Sequence, residues 1–250
     1  MPLVSTERLT KEFGALTAVS AVTVEVEEGA LHSVIGPNGA GKTTFFNLLT
    51  GQLRPTSGRI IFDGRDIAGT PPHRIAHLGI ARSFQRTSIF PTLSLLDNVW
   101  LAAFARQGSW RGLAWRRADR YPELTARALA VLGEVGLREK ASQPAREISH
   151  GEQRQLELAI ALAAAPRVLL LDEPAAGLSP DETQKMVALV RGLKGRYTIV
   201  LIEHKMDIIM GVSDRVSVMH FGSLIAEGTP AEIQRNPEVR RAYLGGMVAE

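Results

Sequence analysis

The run Gly36-Pro37-Asn38-Gly39-Ala40-Gly41-Lys42-Thr43 constrains this chain more than any other stretch. It fits the pattern G-x-x-x-x-G-K-[ST] at every fixed position. Before it, Leu31-His32-Ser33-Val34-Ile35 reads as a short buried strand; after it, Thr44-Phe45-Phe46-Asn47-Leu48-Leu49 reads as the start of an apolar-faced helix. Strand, glycine loop and helix in that order make a phosphate cradle. The glycines let the backbone curl until its N–H groups converge on phosphate oxygens, and the helix N-terminus adds a favourable field for an anion. In such a cradle Lys42 would bridge the β- and γ-phosphates, and the Thr43 hydroxyl would bind Mg²⁺.

With 250 residues, the chain can build one large domain or a domain carrying an insertion. No apolar run reaches the length of a membrane span, and Met1 to Glu7 carries no secretory pattern. There is no cysteine, which excludes disulfides, thiolate metal sites and cysteine nucleophiles, and suits a reducing cytoplasm. A net charge of +3 permits an anionic partner without requiring one.

Residues 3–30 read as strands joined by turns, with Val22 to Glu27 alternating as a half-buried antiparallel strand does. Phe13 lies in a polar, glycine-containing turn, where it either stacks on an adenine ring or caps the sheet. Arg59 to Phe62 is a strand, Asp63-Gly64 a hairpin turn, 72–78 a short helix, and Ile80 to Gln85 the next strand. Gln85 is either a hydrogen-bonded loop amide or a ligand to Mg²⁺ and water. Apolar residues then recur at helical spacing over 93–103 and 123–137, predicting a helical insertion at 92–147 between two parts of an α/β core, 1–91 and 148–250. The basic, tryptophan-bearing stretch 107–117 reads either as a solvated loop or as a docking surface; it holds no nucleic-acid module.

Ser149, with Glu152 three residues on, predicts a capping box ahead of the apolar helix Leu156 to Ala165. The same helix tip, with Gly151, suits an anion. Val168 to Leu171 is an apolar strand of the kind found inside parallel sheets, ending in Asp172-Glu173. An Asp there serves Mg²⁺, and a carboxylate one residue later can polarise a water attacking the γ-phosphate. Tyr197 to Ile202 is another apolar strand. It ends in Glu203-His204, at the sheet edge where ligands of open α/β sheets gather.

Together these segments resemble the ATPase subunit of ABC transporters over nearly the whole chain. Gly36–Thr44 is similar to Walker A, Val168–Glu173 to Walker B, and Ser149–Gln153 to the ABC signature. Gln85 is similar to the Q-loop glutamine, Ala176–Pro180 to the D-loop, and His204 to the switch histidine. The resemblance implies a P-loop NTPase (RecA-like) core with an antiparallel β subdomain and an inserted α-helical subdomain. It implies ATP bound at Phe13, Val19, Asn38, Gly39, Ala40, Gly41, Lys42, Thr43 and Thr44, and Mg²⁺ at Thr43, Gln85 and Asp172. Glu173, His204, Lys42 and Gln85 would be catalytic. Ser149, Gly151 and Glu152 of a second cassette, identical or a sister, would close over the γ-phosphate.

Ser83-Phe84-Gln85, Ile202 to Met206 and Ala242-Tyr243-Leu244-Gly245 look most like the branched-chain amino-acid importer branch, and the tail also resembles that of lipopolysaccharide-exporter ATPases. That branch implies two membrane permeases, indirectly a substrate-binding protein, and a peripheral place on the cytoplasmic face of the membrane. Urea or amide import, lipid export, a soluble non-transport ABC ATPase and a small-molecule kinase are the alternatives. Two departures stand out: His150 replaces the signature's usual first glycine, and Ser179 stands where the D-loop usually has Asp. The first would weaken closure of a homodimer, and the second would alter D-loop coupling.

Overall fold

The computed structural model describes residues 2–83, 89–106 and 121–244. In chain order the elements are β1 (Pro2–Phe13), β2 (Leu16–Glu27), β3 (Leu31–Ile35), α1 (Lys42–Leu49), β4 (Ser57–Phe62), β5 (Arg65–Asp66), α2 (Pro72–Leu78), β6 (Ile80–Arg82), α3 (Leu95–Ala105) and α4 (Pro122–Glu134). There follow α5 (His150–Ala163), β7 (Val168–Asp172), α6 (Pro180–Leu193), β8 (Thr198–Ile202), α7 (Met206–Val212), β9 (Arg215–His220), β10 (Ser223–Gly228), α8 (Pro230–Arg235) and α9 (Pro237–Leu244). Strands β2-β1-β4-β5 form an antiparallel sheet. The second sheet runs β10-β9-β3-β8-β7-β6, parallel except for β10.

Successive side chains of a strand face opposite sides of its sheet. On β7, Leu169 and Leu171 pack with α3–α6, whereas Val168 and Leu170 pack with α1 and the antiparallel sheet. On β8, Ile199 and Leu201 face the helices, and Val200 and Ile202 face the α1 side. Both strands are therefore buried throughout and apolar apart from Asp172 and Thr198, as interior parallel strands are. The same alternation carries Asp172 to the α1 side, toward the glycine loop.

Between β6 and α5 lie α3 and α4, as the helical spacing predicts, but α4 stops short of Leu137. Gly136, at φ 76°, ends it in the left-handed region, while Val135 and Leu137 stay buried as the chain turns. Gln85 and the 107–117 stretch lie outside the described residues. No helix among the described residues is long and apolar enough to cross a membrane.

Candidate nucleotide site

The glycine loop joins the end of β3 to the start of α1. Gly41 caps that helix at φ 98°, and a Cβ there would meet the Ala18 carbonyl oxygen at 2.3 Å. At Gly36, φ 153°, a Cβ would meet the Met219 carbonyl oxygen at 2.2 Å. The loop is thus held against two neighbouring strands by backbone approach that only glycine allows. Lys42 arches back over it, its Nζ donating to the carbonyls of Gly36 at 2.7 Å and Pro37 at 2.9 Å. Burial lowers the Lys42 pKa, while Glu173 and Asp172 pull the other way. Two carboxylates therefore lie within electrostatic reach of this ammonium.

Asp172 closes β7 with a fully buried side chain. Its Oδ2 accepts from Arg82 Nη2 at 2.6 Å, and Arg82 Nη1 donates at 2.6 Å to Asn47 Oδ1 on α1. Its Oδ1 is buried with no hydrogen-bond partner among the described residues. A buried carboxylate oxygen left unpaired beside a phosphate cradle suits a hard cation. No group of three acidic, histidine or cysteine side chains arranged to hold a metal ion by themselves is present among the described residues. Mg²⁺ at nucleotide sites takes only one or two protein ligands besides phosphates and water, so Asp172 with Thr43 is a sufficient protein set.

Glu173 follows with φ 50°, an unusual value for a non-glycine residue and one that turns the chain sharply off the strand. Its Oε1 lies 2.5 Å from His204 Nε2. An ionised carboxylate only accepts, so Nε2 carries the proton of that bond. Glu203, adjacent and buried, accepts from the backbone N–H groups of Ala175 and His204, fixing both strand ends to one carboxylate. Burial raises the Glu203 pKa. Lys42, Asp172, Glu173 and His204 thus gather at the carboxyl edge of β3, β7 and β8.

A cavity of about 440 Å³ opens beside the loop, lined by Phe13, Ala18, Gly39, Gly41, Thr43 and Thr44, with Phe221 at its mouth. Asn38 is exposed on the loop, and the buried Ala40 accepts from the Gly222 N–H through its carbonyl. Val19 is fully buried in the core and does not line the cavity, whose wall at that point is Ala18. The cause is a bulge in β2, where Ala21 has φ 49° and the pairing with β1 shifts register between Val22 and Val19. The bulge turns Val19 onto the same inward face as Val22.

Ser149, Gly151 and Glu152 line a different cavity, about 300 Å³, together with Glu182 and Lys185. The capping box is complete: Ser149 Oγ accepts from the Glu152 N–H, and Glu152 accepts from the Ser149 N–H. Glu152 also pairs with Lys140 at 2.5 Å. The Gly151 N–H donates to Glu182 Oε1 at 3.2 Å, while Glu182 Oε2 caps α6 through Ser179. Ser179 is thus an N-cap, and His150 Nε2 comes to 3.4 Å of where a Cβ on Gly177 would stand. Both departures from the usual pattern therefore meet at one seam.

Three functional contacts went unread in the sequence: Arg82 on Asp172, Glu182 on Gly151, and the Tyr243 hydroxyl, hydrogen-bonded to the Gly36 backbone. Burial raises the pKa of Tyr243 to about 12. Only the second had a visible signal, a Ser-x-x-Glu capping box at Ser179.

Comparison with known proteins agrees with this geometry. The family model "ABC transporter" matches residues 19–176, and "Branched-chain amino acid ATP-binding cassette transporter" matches 223–249. The chain is 42% identical to the high-affinity branched-chain amino acid transport ATP-binding protein BraF of Pseudomonas aeruginosa, covering 98% of each chain. It is 43% identical to LivG of Salmonella typhimurium at the same coverage. Among solved structures, a nucleotide-free ATP-binding cassette from an ABC transporter superposes with TM-score 0.85 at 29% identity, over 97% of this chain and 99% of that one. A cassette in its ADP conformation gives 0.86 at 29%, over 98% and 99%. A dimeric cassette bound to ADP and Pi gives 0.76 at 25%, over 91% and 98%. A phosphate loop facing strand-end carboxylates, within a chain this similar from end to end, leaves one family: this chain belongs to the ATP-hydrolysing, ATP-binding subunits of ABC transporters.

Proposed function

We propose that this cassette powers import of branched-chain or closely related amino acids, working as a pair of cassettes beneath two membrane permeases. The observation that carries the reading is the meeting of Lys42, Asp172, Glu173 and His204 at one sheet edge, in a chain whose near full-length relatives are named for branched-chain amino acid transport. The lysine neutralises phosphate charge, and the loop N–H groups from Asn38 to Thr44 hold the phosphates. Phe13 stacks on the base. Thr43, Asp172 and Gln85 would hold Mg²⁺, which supplies charge neutralisation between the β- and γ-phosphates.

Glu173 takes a proton from the attacking water, and His204 keeps that carboxylate in one orientation through Nε2. The signature residues line their own cavity, apart from the cradle, so Ser149, Gly151 and Glu152 act on ATP held by a second copy or a sister cassette. Their N–H groups and hydroxyl offset charge on the far side of the γ-phosphate. Helices α3 and α4 would face the permeases on the cytoplasmic side of the membrane; the amino acid arrives through a separate binding protein.

The test is Glu173→Gln. It should bind ATP with near wild-type affinity and lose at least about 100-fold in turnover, as removal of a general base does. Wild-type hydrolysis by this variant would remove Glu173 from the catalytic step. Uptake of labelled leucine by vesicles carrying the cassette with its permeases tests the cargo.

A further inference from the structure

The turn between β9 and β10 carries a residue that the hairpin itself does not explain. Phe221 and Gly222 are its two central positions, between the paired residues His220 and Ser223. Both have positive φ, 45° and 80°. A two-residue turn with that signature favours Asn-Gly or Asp-Gly, since a bulky side chain is strained in the left-handed region. An aromatic there is unfavourable locally, and Phe221 recovers little by burial, being 81% exposed. Its ring leans on His220, centroids 4.3 Å apart and tilted by 54°.

The turn is nevertheless held firmly. The Gly222 carbonyl accepts from the Ser20 N–H at 2.8 Å, and the Gly222 N–H donates to the Ala40 carbonyl at 3.1 Å. The first bond ties the turn to β2 and the second to the glycine loop. Phe221 is thereby fixed at the mouth of the cavity that holds Phe13 and the phosphate-loop residues. Phe13 is 46% exposed and Leu16 66%, so an apolar rim runs from Phe13 through Leu16 to Phe221 beside an anion cradle.

We infer that Phe221 is a second base-binding residue, and that a nucleotide seated on the phosphate loop has its base covered by Phe221 as well as by Phe13. A purine has two apolar faces and a polar edge, and a phosphate tail on the adjoining loop leaves it beside this rim. The rim is continuous with the cradle, which is why a nucleobase rather than a protein surface is its occupant. The inference rests on the proposed nucleotide site and adds one wall to it.

The substitution Phe221→Asn separates binding from folding, because Asn-Gly is a favoured pair for this turn. The variant should unfold at a urea concentration equal to or higher than wild type. Its affinity for ATP, measured by titration calorimetry, should fall roughly 5- to 10-fold, the size of one partly exposed base–aromatic contact. Its affinity for inorganic tripolyphosphate, which has no base, should not change. Unchanged ATP affinity in a folded variant overturns the role of Phe221 while leaving the site intact, as does an equal loss for both ligands. A wild-type protein that fails to bind ATP overturns the nucleotide site itself, and the inference with it.

Discussion

Replacing Arg82 by Met tests the most buried ion pair of the site. The Arg82 side chain is 8% exposed and that of Asp172 not at all, with Nη2 2.6 Å from Oδ2. Methionine keeps much of the apolar stem and removes the charge, so the loss is electrostatic rather than a large cavity. Removing one partner of a buried pair costs about 3–5 kcal/mol, because the remaining charge is left uncompensated. Here the Lys42 ammonium lies within electrostatic reach of Asp172, so the expected loss is at the low end, about 3 kcal/mol.

Urea unfolding at neutral pH gives the number. The double variant Arg82→Met/Asp172→Asn should recover much of the loss, a coupling of at least about 1.5 kcal/mol between the two sites. Arg82 also bridges α1 through Asn47, and its guanidinium lies 5.6 Å from the Phe46 ring centroid, so it pins β6, β7 and the phosphate-loop helix together. Arg82→Met should therefore weaken the Mg²⁺ dependence of ATP affinity, since Asp172 loses its fixed orientation. A destabilisation under about 1 kcal/mol, additive with Asp172→Asn, would refute the reasoning: the pair would then be a neighbour of the site and not its support.

Glu182→Gln keeps the α6 cap but removes a negative charge from the Gly151 N–H, so in a Glu173→Gln background ATP-driven pairing of cassettes should tighten; sedimentation at several protein concentrations with ATP measures it, and weaker pairing would mean that the carboxylate holds the signature loop in its working shape. His32 is buried, bonded at 2.7 Å to Ser217 Oγ, and burial lowers its pKa from 6.5 to about 4 against the opposing pull of Glu227. Its neutral form is favoured by folding, so this contribution is complete above pH 6.5 and is lost as pH falls toward 4, up to about 3 kcal/mol. His32→Gln should flatten the urea midpoint over that window, and an unchanged slope would exclude His32 as its source.

What could be read from the sequence is what the chain writes locally. The phosphate loop, the Ser149 capping box and the apolar strands ending at Asp172 and His204 each occupy a few consecutive residues, and each pattern carries its own physical reason. The residues that support the site are not written this way. Arg82 meets Asp172 across 90 positions because β6 pairs beside β7, an order no local periodicity specifies. Tyr243 reaches Gly36 only because α9 folds back beside β10 and the edge of the parallel sheet. Val19 shows the converse failure: one residue with positive φ at Ala21 exchanges the two faces of a strand, so the face Val19 takes depends on a register shift with β1. The groups proposed to hold phosphate are thus local in sequence because a strand–loop–helix must present them at one point. The groups that hold them there come from wherever the fold delivers a matching charge or hydrogen-bonding group, and the Arg82 guanidinium and the Tyr243 hydroxyl are two such deliveries, one to the strand end and one to the loop.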